Sequence, residues 1–265
     1  MTGIARQEWH VIALAWAKFL AFTALLASGI AYGASRMDYA WKWDQVPRYI
    51  VRVIDGQIYP GVLMKGLMVT LEISAVSFVV ALAIGLTMAL CRLSDSIVAR
   101  GLARIYLEAV RNTPLLVQIY LLYFVLAPIL NLERWFAAVF ALAVFEGAFA
   151  AEIFRGGILA VPRGQGEAAM SLGLGRAQVY RLVIVPQALR IMLPPLTSLG
   201  VSLVKHSAIV SAIAMFDLFN EARTVVADTF LSYEIYLTTG AIYLVVTLAL
   251  SMLVTLFERR LARRA

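Results

Sequence analysis

The stretch Gly61-VLMKGLMVTLEISAVSFVVALAIGLTMAL-Cys91 decides the fold. It carries only two charged side chains, Lys65 and Glu72. About 20 apolar residues cross a hydrocarbon core of about 30 Å, so this run spans a bilayer with length to spare. Its start reads as an interfacial helix that turns into the membrane. Five further runs qualify on either side of it: residues 11–33, 106–130, 136–154, 191–215 and 235–257. The expected fold is all-α, a polytopic membrane helix bundle of about six transmembrane helices.

Composition excludes the competing classes. The 265 residues are 62% hydrophobic and 15% charged, with a mean hydropathy of +0.84, where a soluble domain has about 45–50% apolar and about 25% charged residues. The net charge of +7 sits in short clusters between apolar runs, which is the pattern of membrane orientation and not of nucleic-acid binding. With the N-terminus placed in the cytoplasm, 14 Lys and Arg fall inside and six outside, although the first outer loop alone carries four. That bias predicts both termini in the cytoplasm of a multi-pass protein of the cytoplasmic (inner) membrane. Trp9, Trp41, Trp43 and Trp135 lie near span ends, where amphipathic rings settle. Run 11–33 also admits a secretory-signal reading, with small residues at 31–34 for cleavage. Its length exceeds a signal core of about 7–15 residues and it contains Lys18, which favours a retained helix. Cys91 is the only cysteine, and His10 and His206 lie on separate elements, so neither a disulfide nor a metal site is expected. Three regions follow: 1–59 as an N-terminal membrane helix and extracytoplasmic loop, 60–258 as the transmembrane domain, and 259–265 as a basic cytoplasmic tail.

One connection differs from the others. Residues 155–190 are too long and too patterned for a simple link. Gly164 and Gly166 precede a short helical run at 167–172, Gly173 and Gly175 break it, and a second run at 177–185 ends at Pro186. Two short helices at an angle are expected on the cytoplasmic side. Ala168 and Ala169 leave one face bare for close approach of another backbone, and Glu167 in the first turn suits the positive helix end. By periodicity alone the loop either packs on its own bundle or docks a partner.

The order Glu167-Ala168-Ala169, Gly173, Ile184-Val185-Pro186 resembles the EAA motif of ABC importer permeases. The blocks Arg111-Asn-Thr-Pro-Leu-Leu-Val-Gln118, Ala151-Glu-Ile-Phe-Arg-Gly-Gly-Ile158, Pro186-Gln-Ala-Leu-Arg190 and Lys205-His-Ser-Ala-Ile209 resemble the polar amino-acid uptake branch, the histidine, glutamine and glutamate type. Together they cover about residues 61–257. The resemblance implies that 155–190 forms coupling helices seated in an ATP-binding subunit, with Glu167, Ala168, Ala169, Gly173 and Pro186 as coupling residues. It implies alternating access driven by ATP and Mg on a pair of partner ATPases, with no cofactor bound by this chain. The other partners would be a second permease subunit, of the same or a related chain, an extracytoplasmic solute-binding protein and an amino-acid substrate. There are departures: many relatives have five spans and an external N-terminus, so 11–33 is an addition, and His206 follows Lys205 where many have a Thr-Ser pair.

Ionisable groups at bilayer depth are costly and are functional candidates by default. Run 115–130 alone spans only about 24 Å, so the crossing begins earlier and Arg111 lies inside the cytoplasmic part of the bundle. Thr113-Pro114 follows it, and proline favours the first position of a helix. A helix starting there would aim its positive end at the cavity beside Arg111, suiting a substrate carboxylate. The alternative is a snorkelling arginine or an ion pair with Glu108. Glu152 would meet the substrate ammonium group or else pair with Arg155, three residues on. Lys205 faces the translocation route or a subunit interface, and His206 reads as a satisfied interior histidine. Lys65 and Glu72 share a helical face, with Gly66, Ser74 and Gly85 available for close packing. The candidate substrate residues are therefore Arg111, Glu152, Thr113 and Lys205, with no catalytic residue and no phosphate-binding glycine loop. Two other functions compete: an ion-coupled secondary transporter with Lys65, Glu72 and Glu152 as a relay, and a membrane assembly factor that transports nothing.

Overall fold

The computed structural model describes residues 3–37 and 39–262. Its chain divides into two compact units, 1–42 and 43–265. The first contains one helix, α1 (Gly3–Ser35), of which Leu14–Ser35 is long and apolar enough to cross a membrane.

The second unit opens with a short helix, α2 (Pro47–Ile50), and a hairpin of β1 (Val51–Ile54) and β2 (Gln57–Pro60). The strands pair antiparallel from Val51↔Pro60 to Ile54↔Gln57. Asp55 and Gly56, at φ 52° and 77°, make the two-residue turn, which requires positive φ at both positions. Tyr49 packs with Leu63, Leu67 and Leu218, so the hairpin's base belongs to the bundle.

The bundle is built on α3 (Val62–Leu93) and α7 (Arg134–Leu159). Small residues bring them together. A Cβ on Gly85 would lie 2.5 Å from that of Ala150, and one on Gly147 would lie 2.9 Å from Ile84. The Ser77 hydroxyl donates to the Val139 carbonyl at 3.2 Å. Close backbone approach and a buried polar bond are how apolar helices associate where lipid is as apolar as leucine. Ile73, Ile119, Leu142 and Leu203 complete the central core. On α3, Met68, Val79 and Leu90 are exposed, as are Leu244, Leu248 and Met252 on α12 (Ser232–Ala262), giving these helices apolar outer faces suited to lipid or another membrane subunit.

Two expectations change in detail. Run 106–130 is not one straight span. It divides into α4 (Ile97–Arg111) and a second limb made of α5 (Leu115–Tyr120), a π-helical stretch at 121–126 and α6 (Ala127–Leu130). The limbs meet at 108°. Proline at 114 disfavours a helical residue before it and supplies no N–H, so the helix breaks there. The second change concerns 155–190. Helix α7 continues through Arg155 to Leu159, and α8 (Arg163–Ser171) is a single short helix ended at Gly173, whose φ is 86°. The expected second short helix does not end at Pro186. Instead α9 (Arg176–Val179) continues through a π-helical stretch at 180–184 into α10 (Val185–His206). A wide π turn ahead of Pro186 accommodates a residue that has no N–H and would crowd the preceding turn of an α-helix.

The second compact unit begins at Trp43. Among the described residues, five helices are long and apolar enough to pass as spans, or six if the bent limbs count as one. The side chains of the basic tail 259–265 lie outside the described residues.

Candidate functional site

The bundle has two chemically different ends. The C-terminal ends of α3 and α7 lie together, because Arg92 of α3 bonds to Glu152 of α7. The opposite end holds the start of α3 and α11 (Leu218–Thr229).

At the first end a single carboxylate gathers three guanidinium groups. Glu152 Oε1 accepts from Arg92 and, at 3.4 Å, from Arg111 Nη1. Its Oε2 accepts from Arg155 Nε and Nη2 at 3.0 and 2.9 Å. The i,i+3 pairing with Arg155 is thus present. Arg111 does not pair with Glu108, which instead accepts from Asn112 at 3.1 Å. Arg92 is the partner that sequence reasoning missed, since the contact spans 60 positions. The cluster carries three cations against one anion, and Arg111, the most open member, has 46% of its side chain exposed.

The break beside Arg111 is clamped. The Thr113 hydroxyl donates to the Ala109 carbonyl at 2.8 Å. Gln118 Nε2 donates to the Val110 carbonyl and to Thr113 Oγ1, each at 2.8 Å. Thr113 therefore holds the elbow in shape, and Gln118, which the sequence offered only inside a motif, is its fastener. The first N–H groups of α5 have no earlier helical turn to bond to, so this elbow presents a positive helix end near a guanidinium.

Lys205 is exposed on α10 and is not among the described residues that pair with Glu152. Its neighbour His206 is satisfied from within, its Nδ1 lying 2.5 Å from Oε1 of the buried Glu146. Lys65 and Glu72 are both exposed on α3. Gly66 closes instead on α11, where its Cβ would lie 2.9 Å from Leu218 Cα, and Gly85 closes on α7. Glu72 stands twenty residues, about 30 Å of helix, before Arg92, the α3 residue that touches Glu152. These groups do not form a continuous proton relay.

The other end is closed differently. Asp217 is fully buried and caps α11, accepting from the backbone N–H groups of Asn220 at 3.2 Å and Phe219 at 3.3 Å. Thr70 of α3 accepts from the Leu218 N–H at 3.0 Å, tying the helix start to the bundle. Burial pushes the Asp217 carboxyl up to about 7, against the backbone hydrogen bonds, which favour the charged form.

The motif region is a surface. On α8, Ala169 is buried while Glu167, Ala168 and Met170 are exposed. Gly166 rests on Val179 and Ile184, and Gln187 of α10 donates to Gln165 at 3.4 Å, so α8 is fastened to the helix that becomes a span. An open cavity of about 560 Å³ lies beside it, lined in part by Arg163, Glu167, Met170, Arg176 and Tyr180. Pro186 lies within α10, where it shapes the entry of the span.

Residues 81–263 match the family model described as the binding-protein-dependent transport system inner membrane component. The chain is 34% identical over 209 residues to the glutamine transport system permease protein GlnP of Escherichia coli K12, covering 77% of this chain and 95% of that protein. It is 34% identical over 235 residues to the L-cystine transport system permease protein TcyB of Bacillus subtilis, covering 87% and 95%. A crystal structure of an amino acid ABC transporter with histidines superposes with a TM-score of 0.71 at 39% identity, covering 75% of this chain and 94% of that one. The inward-facing MetNI methionine ABC transporter shares the fold, with a TM-score of 0.66 at 20% identity. The helical bundle therefore belongs to a known architecture: the chain is a member of the binding-protein-dependent transport system inner membrane components, the multi-pass permease subunits of ABC importers.

Proposed function

We propose that this permease carries polar or charged amino acids inward across the cytoplasmic membrane. One observation carries the reading: three guanidinium groups share the single carboxylate of Glu152, and the most exposed of them, Arg111, stands at a broken helix. That arrangement has cationic capacity to spare. A substrate α-carboxylate takes Arg111 from Glu152, while Arg92 and Arg155 keep Glu152 in place. Glu152 then offers its freed face to the substrate ammonium group. Arg111 and Glu152 are the substrate residues of this scheme, and Thr113 positions the elbow. Lys205 acts on a different stretch of the route. The relatives named for glutamine and cystine support an amino-acid substrate.

The energy enters through α8. Two partner ATPases, holding ATP and Mg, seat against the exposed Glu167–Ala168 face, and the connection through Gln165 and Gln187 passes their movement to α10. Gly173 ends α8 by adopting a left-handed backbone that favours glycine. A second permease subunit completes the path, a solute-binding protein delivers substrate at the α11 end, and both termini lie in the cytoplasm. The Glu167→Lys variant should insert normally but lose ATPase association, or lose ATP-driven uptake by about tenfold or more, in proteoliposomes holding the complete importer. A stable, fully coupled complex carrying that substitution would refute the assignment of α8.

A further inference from the structure

The Glu146–His206 pair has no place in the scheme above, yet it occupies an expensive position. Glu146 lies in the middle of α7 and is 2% exposed. A carboxylate in such a place is retained only against a large desolvation cost. Its partner is the His206 imidazole at 2.5 Å, contributed by a residue 60 positions away. The imidazole is not itself enclosed, since 39% of the His206 side chain is exposed. With Nδ1 committed to Glu146, Nε2 is the ring nitrogen left to act outward, accepting a hydrogen bond when neutral and donating one when protonated.

The pair is also connected to the Arg111 cluster. The His206 ring meets Phe145 edge-on at 5.9 Å, Phe145 meets Phe149 at 5.1 Å, and the Arg111 guanidinium lies 6.0 Å from the Phe149 ring. A continuous strip of one cation, two aromatic rings and one imidazole therefore runs along α7. Glu146 and Glu152 are six residues apart, about 9 Å along the helix. A small zwitterion moving along the strip leaves one polar station and meets the other.

We propose that His206 is a specificity-determining residue that reads the substrate side chain, with Glu146 as the residue that positions its ring. Nε2 suits a side-chain amide or carboxylate, which it meets as acceptor or donor. The selected class is amino acids with an amide or acidic side chain. This rests on the importer reading and adds to it the side-chain class.

The test uses the full chain in complex with its ATPase, without the solute-binding protein, and measures binding of glutamine, glutamate and alanine. His206→Ala should weaken glutamine and glutamate by about tenfold, the scale of one hydrogen bond, and leave alanine unchanged. Glu146→Gln, which keeps a hydrogen-bonding group behind the ring, should retain more of the preference than Glu146→Leu. Equal losses for all three ligands, or none for any, overturn the proposal. Should His206→Ala fail to assemble, the unsubstituted complex decides. Glutamine or glutamate should protect His206 from carbethoxylation, read by mass spectrometry, where alanine does not, and indifference to all three overturns the proposal. A native complex that binds no amino acid refutes the importer reading as well, whereas binding without side-chain preference refutes this inference alone.

Discussion

The two ends of α3 hold carboxylates in opposite ways. At the Arg92 end, Glu152 is a quarter exposed and is shared by three flexible cationic side chains. At the Thr70 end, Asp217 is fully buried and bonds to backbone N–H groups that cannot leave. A ligand can replace one partner of Glu152 without unmaking the fold, because two other arginines still hold it. Nothing can replace a partner of Asp217 without releasing α11. The first arrangement suits exchange and the second suits closure, and three substitutions probe that division.

The largest effect is expected at the closed end. In Gly66→Val the new Cβ would meet Leu218 Cα at 2.9 Å and the Asp217 carbonyl oxygen at 3.0 Å, and both are backbone atoms that have no room to yield. Overpacking of this kind costs about 1–3 kcal/mol or more. The purified protein should melt several degrees lower, and near-native melting would show that the α11 contact is looser than described.

A smaller, functional loss is expected for Glu152→Leu. Arg92, Arg111 and Arg155 would lose their common acceptor, but each is about a third exposed or more and water would compensate in part. Uptake should fall about tenfold while the melting temperature changes little. If stability fell as far as in Gly66→Val, the cluster would be a structural tie and the contrast between the ends would disappear.

The mildest change is Asp217→Asn, which keeps a good helix cap. Burial raises this carboxyl from its ordinary value of 3.8 to about 7. Between those values the folded state binds more protons than the unfolded one. Its contribution is therefore full below about pH 4, is lost as pH rises towards 7, and stays flat above. Melting followed from pH 5 to pH 8 should decline in the native protein and decline less in Asp217→Asn. Parallel curves would mean that Asp217 is not the titrating group.

How far the sequence foretells this arrangement depends on the range of the contact. The apolar runs were legible because length alone sets a span, and the Glu152–Arg155 pair because i,i+3 neighbours meet on any helix. The break at 112–114 was legible from Pro114, but its 108° angle was not, since that depends on the Gln118 clamp and on packing against α3 and α7. Pro186 looked like a helix end because nothing local announces the π turn that carries the chain past it. Arg92 and the Glu146–His206 pair were invisible for a plainer reason: each joins residues 60 positions apart, and only the packed bundle brings them together. Asp217 lies at a position suited to a helix cap, but its burial comes from α3.

The exchange at Arg111 is the claim on which the rest depends. It is tested most directly by amino-acid uptake into proteoliposomes holding the complete importer, with Arg111→Gln compared against the unsubstituted chain. The account predicts that the variant assembles with its ATPase and loses saturable uptake, with a half-saturation concentration raised by about tenfold or more, the scale of a charge-assisted hydrogen bond. An unchanged dependence of uptake on substrate concentration would contradict it.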